Sequence, residues 1–294
     1  MVSVFKSSEG RRDIHDRYES LLRQWPVENR QLRLPTRYGE TFAIACGRED
    51  APALVLLHGT AANSASWIID VPLWSRHFRV FCIDIIGDAG LSAESRPPYE
   101  SDAHQQWLDD VMRELSLSSA ALAGMSFGGW LALDYATRRP ECVDKLVLFS
   151  PGGIGRNRNI LLWAIPLLLL GPWGRRKMLE RIGGRPATSL SPAESSLLEL
   201  TATIFTHFKP RTAKLPQIGD EALQRLNMPV LAILGGKDVF IDAPETKRRL
   251  EQNVPDLTMR HLPEAPHFIP GQTEAVLQFL LDPAEMARRS GQAM

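Results

Sequence analysis

The stretch Leu122 to Trp130, LAGMSFGGW, decides the fold. An apolar run, AALAGM (120–125), ends in Gly124-Met125-Ser126-Phe127-Gly128, and a helix-like segment, FGGWLALDYATRR (127–139), follows at once. The run reads as a strand and the segment after it as a helix, so Ser126 stands at the corner between them. A residue at so tight a strand-to-helix turn takes a strained backbone conformation, and glycines on either side relieve the crowding. The hydroxyl then projects above the sheet, beside the unpaired N–H groups of the new helix. G-x-S-x-G in this context predicts a nucleophile elbow.

Working outward, the same alternation recurs. PALVLLHG (52–59), FRVFCIDI (78–85), DKLVLFSP (144–151) and PVLAILGG (229–236) are continuous apolar runs, the pattern of strands buried on both faces. QLRLPTRYGETFAIACG (31–47) predicts two short strands around a turn at Tyr38-Gly39. SDAHQQWLDDVMREL (101–115) has helical apolar spacing, with Ser101 as its expected N-cap. Residues 1–28 read as a helix ending near Trp25-Pro26; PETKRRLEQ (244–252), DLTMRHL (256–262) and Thr273–Leu281 read as helix, strand and closing helix. The expected fold is α/β: a mainly parallel sheet of the eight-stranded type flanked by helices. Residues 152–217 lack a strand pattern and are expected to form a helical cap over the carboxyl ends of the strands. The core then comprises residues 1–151 and 218–294.

Activating a serine requires a base and a carboxylate to orient it. On this scaffold they follow in the order serine, acid, histidine. Of the histidines after Ser126, His207 falls in the helical insertion and His261 inside a strand, whereas His267 sits in a loop after the last strand. Asp238, following the strand that ends in Gly235-Gly236, is the expected acid; Asp242 is the fallback, with a helix N-terminal charge as its alternative role. Ester cleavage also needs two backbone donors for the developing oxyanion. The N–H groups of Phe127, after the nucleophile, and Thr60, after His58-Gly59, are the candidates.

These residues resemble the α/β-hydrolase fold superfamily in LLHGT, DIIGDAGLS, GMSFGG, LGGKDVF and APHFIP, across roughly residues 38–282. The resemblance implies a Ser126-Asp238-His267 triad, a Thr60/Phe127 oxyanion hole, the cap, and no cofactor. Members with an aspartate at the elbow use a different covalent intermediate, which Ser126 excludes. The HGGG loop of lipases and the HGGGPG of carbon–carbon bond hydrolases are absent, and Phe268 stands where the latter tend to have Trp. GDAG (87–90) departs from the usual GxG spacing.

Composition bounds the partners. Lys+Arg and Asp+Glu each number 34, which leaves no basic excess for nucleic acid or an anionic membrane. Cys46, Cys82 and Cys142 fit no metal spacing, so no metal is expected. No signal peptide is read at the start, and the expectation is a cytoplasmic protein. ILLWAIPLLLLGPW (160–173) is too short to span a bilayer, so no stable membrane insertion is expected. It reads equally as a wall of an apolar pocket or as packing against the core or a homodimer partner. Arg156, Arg158, Arg175, Arg176 and Lys177 around it read as a solvated helix end. Trp67, Met125 and Trp163 are the candidate pocket residues. The expected activity is hydrolysis of small to medium apolar carboxylic esters through an acyl-enzyme. Carbon–carbon bond hydrolysis, perhydrolysis, acyl transfer and non-catalytic ligand binding are the alternatives.

Overall fold

A computed structural model of the protein describes residues 3–158, 166–167, 169–184 and 190–282. In chain order the elements are α1 (Ser8–Arg23), β1 (Asn29–Thr36), β2 (Gly39–Cys46), β3 (Ala53–Leu57), α2 (Val71–Trp74), β4 (Arg79–Ile83), α3 (Ala103–Glu114), β5 (Ala120–Met125), α4 (Phe127–Arg138) and β6 (Val143–Phe149). There follow α5 (Gly171–Gly183), α6 (Pro192–His207), α7 (Asp220–Gln224), β7 (Val230–Gly235), α8 (Ala243–Asn253), β8 (Leu257–Leu262) and α9 (Thr273–Leu281).

The strands form one eight-stranded sheet in the order β1-β2-β4-β3-β5-β6-β7-β8. The β1–β2 hairpin and the β2–β4 pair are antiparallel, and every pair from β4 to β8 is parallel. Strand side chains alternate between the two faces, and so the apolar runs build two cores. Val55, Leu57, Leu122, Leu148 and Ala232 face α3, α4 and α8; Leu54, Leu56, Ala123, Phe149 and Ile233 face α1, α2 and α9. The strands expected from the apolar runs are all present, and the two edge strands, β1 and β8, are the partly exposed ones.

Local chemistry sets several element ends. The cap of α3 is Asp102, one residue later than expected. Its side chain makes no capping bond, while Ser101 Oγ accepts only a long 3.4 Å bond from Ala103 N–H and donates to Pro98 O. Asp242 caps α8, accepting from Glu245 N–H at 3.1 Å. At the far end of α9, buried Lys145 donates to the carbonyls of Phe279, Leu280 and Asp282, which satisfies acceptors that a helix leaves unpaired.

Between β6 and β7 the described residues contain helices and no strand. Helix α6 opens with a capping box between Ser191 and Glu194 and lays Leu200 and Ile204 into the core beside Phe208. It packs on α1. Arg17 pairs with Glu199, Lys6 Nζ donates to Thr206 O, and Phe5 bridges Phe208 in antiparallel fashion. Where the chain leaves and rejoins the sheet, Arg249 of α8 donates to the carbonyls of both Ile154 and Ile218 and pairs with Asp220. Within 160–173, residues 160–165, Trp163 among them, and 168 lie outside the described residues. Leu169, Leu170 and Trp173 are exposed. No described helix is long and apolar enough to cross a membrane.

Candidate active site

The elbow is built by close backbone approach. Ser126 has φ 53° and ψ −107°, a conformation that costs an L-residue about 1–3 kcal/mol. Its N–H donates to Phe149 O at 2.8 Å, and its carbonyl accepts from Trp130 and Gly152 N–H, so the strain is held from three sides. The flanking glycines are there for space. A Cβ on Gly124 would lie 2.3 Å from Gly128 O, and one on Gly128 would lie 2.2 Å from Leu57 O. Only glycine lets α4 start this near β3.

Asp238 follows β7 and is fully buried. Its Oδ1 accepts from the N–H groups of Phe240 (2.7 Å) and Ile241 (3.1 Å), while Oδ2 meets His267 Nδ1 at 2.6 Å. With both carboxylate oxygens accepting, Nδ1 carries a proton and donates it, which leaves Nε2 as the ring nitrogen turned away from the acid. His267 is 7 % exposed, and the Phe240 ring stands edge-on to it, centroids 4.7 Å apart. The acid loop is braced from outside. Asn157 bridges Ile241, Arg158 N–H donates to Phe240 O, and Arg158 Nη1 donates to Asp238 O. Of the other basic residues named around the apolar run, Arg156 pairs with Glu245, and Arg176 and Lys177 pair with Glu180.

Asp242 is bound at its helix cap, which leaves Asp238 as the carboxylate on His267. His261 lies exposed on β8, and His207 ends α6 with Nε2 3.8 Å from Asp13.

The loop after β3 carries Thr60. His58, wholly buried, accepts from Ile85 N–H at Nε2 (2.9 Å) and therefore donates from Nδ1 to Gly59 O (2.8 Å). Burial lowers its basicity and keeps it neutral for this role. Three more residues stitch the same loop to DIIGDAGLS. Ser64 donates to Asp84 through both N–H and Oγ, Asn63 Nδ2 donates to Ala89 O, and Ala62 N–H donates to Asp88 Oδ1. Tyr18 of α1 also donates to Asp84. Ala61, between these ties, holds φ 56° without being glycine. In GDAG itself, Gly87 turns at φ 72°, and a Cβ on Gly90 would lie 2.3 Å from Asp84 Oδ2. Thr60 and Phe127 line one narrow cavity of ≈ 10 Å³, room for a single water-sized group.

Trp67 is 1 % exposed and packs against Trp74 and Phe149 in the core, so the structure puts it in the interior rather than on a cavity wall. Met125 is half-buried beside Gly59. A larger hollow of ≈ 410 Å³ opens next to the acid loop, lined by Arg158, Arg181, Lys237, Val239 and Pro266 among others. It adjoins Asp238 and His267 in sequence without including either. Among the described residues no group of His, Cys, Asp and Glu is placed to hold a metal. Sequence reasoning missed Asp84 and Asp88; the one signal was the irregular GDAG spacing.

A family model described as alpha/beta hydrolase fold matches residues 52–220. The chain belongs to this family. Within the alpha/beta hydrolase fold it is similar to carboxylesterase YbfK of Bacillus subtilis (strain 168), 28 % identical over 271 residues covering 90 % of each chain. The crystal structure of that carboxylesterase superposes with a TM-score of 0.79, covering 93 % of this chain and 99 % of the other. The naproxen esterase (carboxylesterase NP) of Bacillus subtilis superposes equally, with a TM-score of 0.79, 27 % identity, and 94 % and 99 % of the two chains covered.

Proposed function

We propose that this alpha/beta hydrolase is a serine carboxylesterase that cleaves small to medium apolar esters through an acyl-enzyme. The observation that carries the reading is the buried Asp238–His267 bond, its acid following the carboxyl end of β7 as the strained serine elbow follows that of parallel β5. Similarity to two carboxylesterases over most of the chain supports the same conclusion. In this reading Ser126 Oγ attacks the ester carbonyl while His267 Nε2 takes its proton, and Asp238 steadies the imidazolium that forms. The N–H groups of Thr60 and Phe127 receive the oxyanion. His267 then protonates the leaving alcohol and afterwards activates water against the acyl-enzyme. No cofactor takes part.

Residues 152–217 act as the cap over the site, with Met125 near the acyl group, in a cytoplasmic enzyme. The deciding experiment is fluorophosphonate labelling of wild type and Ser126→Ala, followed by a chain-length series of p-nitrophenyl esters. Labelling and turnover lost in Ser126→Ala, with circular dichroism unchanged, support the reading; full activity in that variant ends it.

A further inference from the structure

The cavity shared by Thr60 and Phe127 is completed by Asp88, Arg96, Tyr99, His104 and Arg211. Asp88 is the part of GDAG that the triad leaves unexplained. It is 6 % exposed, and its Oδ1 accepts from Ala62 N–H at 3.3 Å and Ala89 N–H at 2.9 Å. Ala62 is two residues beyond Thr60, across the left-handed Ala61. The carboxylate therefore grips the loop that presents one of the two oxyanion donors, from inside the cavity that both donors line. We propose that Asp88 is the positioning residue of the oxyanion loop, its carboxylate fixing Ala61-Ala62 and through them the Thr60 N–H. The inference rests on the serine-esterase reading above.

The groups facing Asp88 explain why its charge matters. Arg96 comes from the following loop, Tyr99 and His104 from the approach to and first turn of α3, and Arg211 from the end of the insertion. Arg96 spends its guanidinium on Gly87 O and Lys209 O, and Arg211 stacks 3.7 Å from the Tyr99 centroid, so neither is within ion-pair distance of Asp88 among the described contacts. Burial, largely, holds His104 down to about 4 and Tyr99 up to about 12; both stay neutral in this cavity through the working range. Burial likewise pushes Asp88 up to about 7, opposed by the N–H groups of Ala89, Ala62 and Ala61 and by Arg96. The clamp thus gains its charge between about pH 6 and 8. N–H bonds to a carboxylate are shorter and stronger than those to a neutral acid, so the loop tightens as pH rises.

The test is kcat and KM for p-nitrophenyl butyrate from pH 5.5 to 9 in wild type, Asp88→Asn and Asp88→Ala, with inhibition by phenylboronic acid and amide exchange of residues 60–62. Displacing an oxyanion donor without deleting it should lower kcat of Asp88→Ala by about 10- to 100-fold. KM should stay within about twofold, and boronate inhibition should weaken by the same factor as kcat, since both depend on the oxyanion site. Asp88→Asn keeps an acceptor but cannot ionise. Its pH profile should lose the ionisation near pH 7 that Asp88 gives wild type. Exchange at 60–62 should quicken in Asp88→Ala. The inference is overturned by a folded Asp88→Ala with wild-type kcat, or by an Asp88→Asn profile that keeps that ionisation. The second variant decides alone if the first does not fold. Were wild type neither labelled nor active, the esterase reading would fall by itself, and unchanged exchange at 60–62 would then separately refute the clamp.

Discussion

His267 Nδ1 and Asp238 Oδ2 meet at 2.6 Å, 29 residues apart in the chain, with Asp238 sealed from solvent and its second oxygen occupied by two backbone N–H groups. That arrangement fixes the imidazole tautomer. Asp238→Asn would donate where it must accept, turning the ring or its tautomer away from Nε2 acceptance. A loss in kcat of about 10⁴-fold is expected. Asp242→Ala, four residues on, removes only a helix cap worth about 1 kcal/mol and should leave steady-state kinetics unchanged. Ester turnover and thermal melts of the two variants separate the roles.

Asp70 should make stability fall as pH rises. Burial pushes its carboxyl up to about 6, with Thr273 Oγ1 donating to it at 2.5 Å. A folded-state value above the unfolded one, near 3.9, means the folded protein prefers the protonated form. Its contribution is therefore full below about pH 4 and is lost as pH rises through about 6. Asp70→Asn keeps the acceptor for Thr273 and cannot ionise. Its thermal midpoint should decline less than that of wild type between pH 4.5 and 8, and equal slopes would exclude Asp70 as the source.

Lys145→Met should cost about 2–3 kcal/mol, because the buried ammonium gives charge-assisted bonds to the carbonyls at the end of α9 and the thioether gives none. Urea melts measure this directly. Activity per folded molecule should not change.

Arg249→Lys should loosen the insertion without unfolding the sheet. One guanidinium serves Ile154 O, Ile218 O and Asp220, a fork that a single ammonium cannot reproduce. Limited proteolysis should cut within 152–217 sooner in the variant than in wild type, while cleavage elsewhere keeps its rate.

The sheet was legible because its central strands are buried on both faces and so read as unbroken apolar runs, and because Gly124 and Gly128 mark the only geometry that fits Ser126. The Asp238–His267 pair was legible from the order of the chemistry along a parallel sheet. Trp67 was misleading: an aromatic near the HG loop reads alike as pocket wall or core, and only packing against Trp74 and Phe149 separates the two. Asp88 holds backbone N–H groups and Arg249 the carbonyls of Ile154 and Ile218, and a contact from a side chain to a carbonyl or N–H leaves no residue-type pattern at the other end. Ser101 and Asp102 differ by one position, finer than local propensity resolves.

Phe5 pairs with Phe208, Lys6 reaches Thr206, Arg17 reaches Glu199, and Tyr18 of the same segment touches Asp84 beneath the Thr60 loop. For engineering, residues 4–23 and 192–208 are thus one transplantable part. A chimera that imports a related enzyme's insertion alone would set a foreign surface against a native helix, whereas exchanging both segments together would carry their shared seam intact.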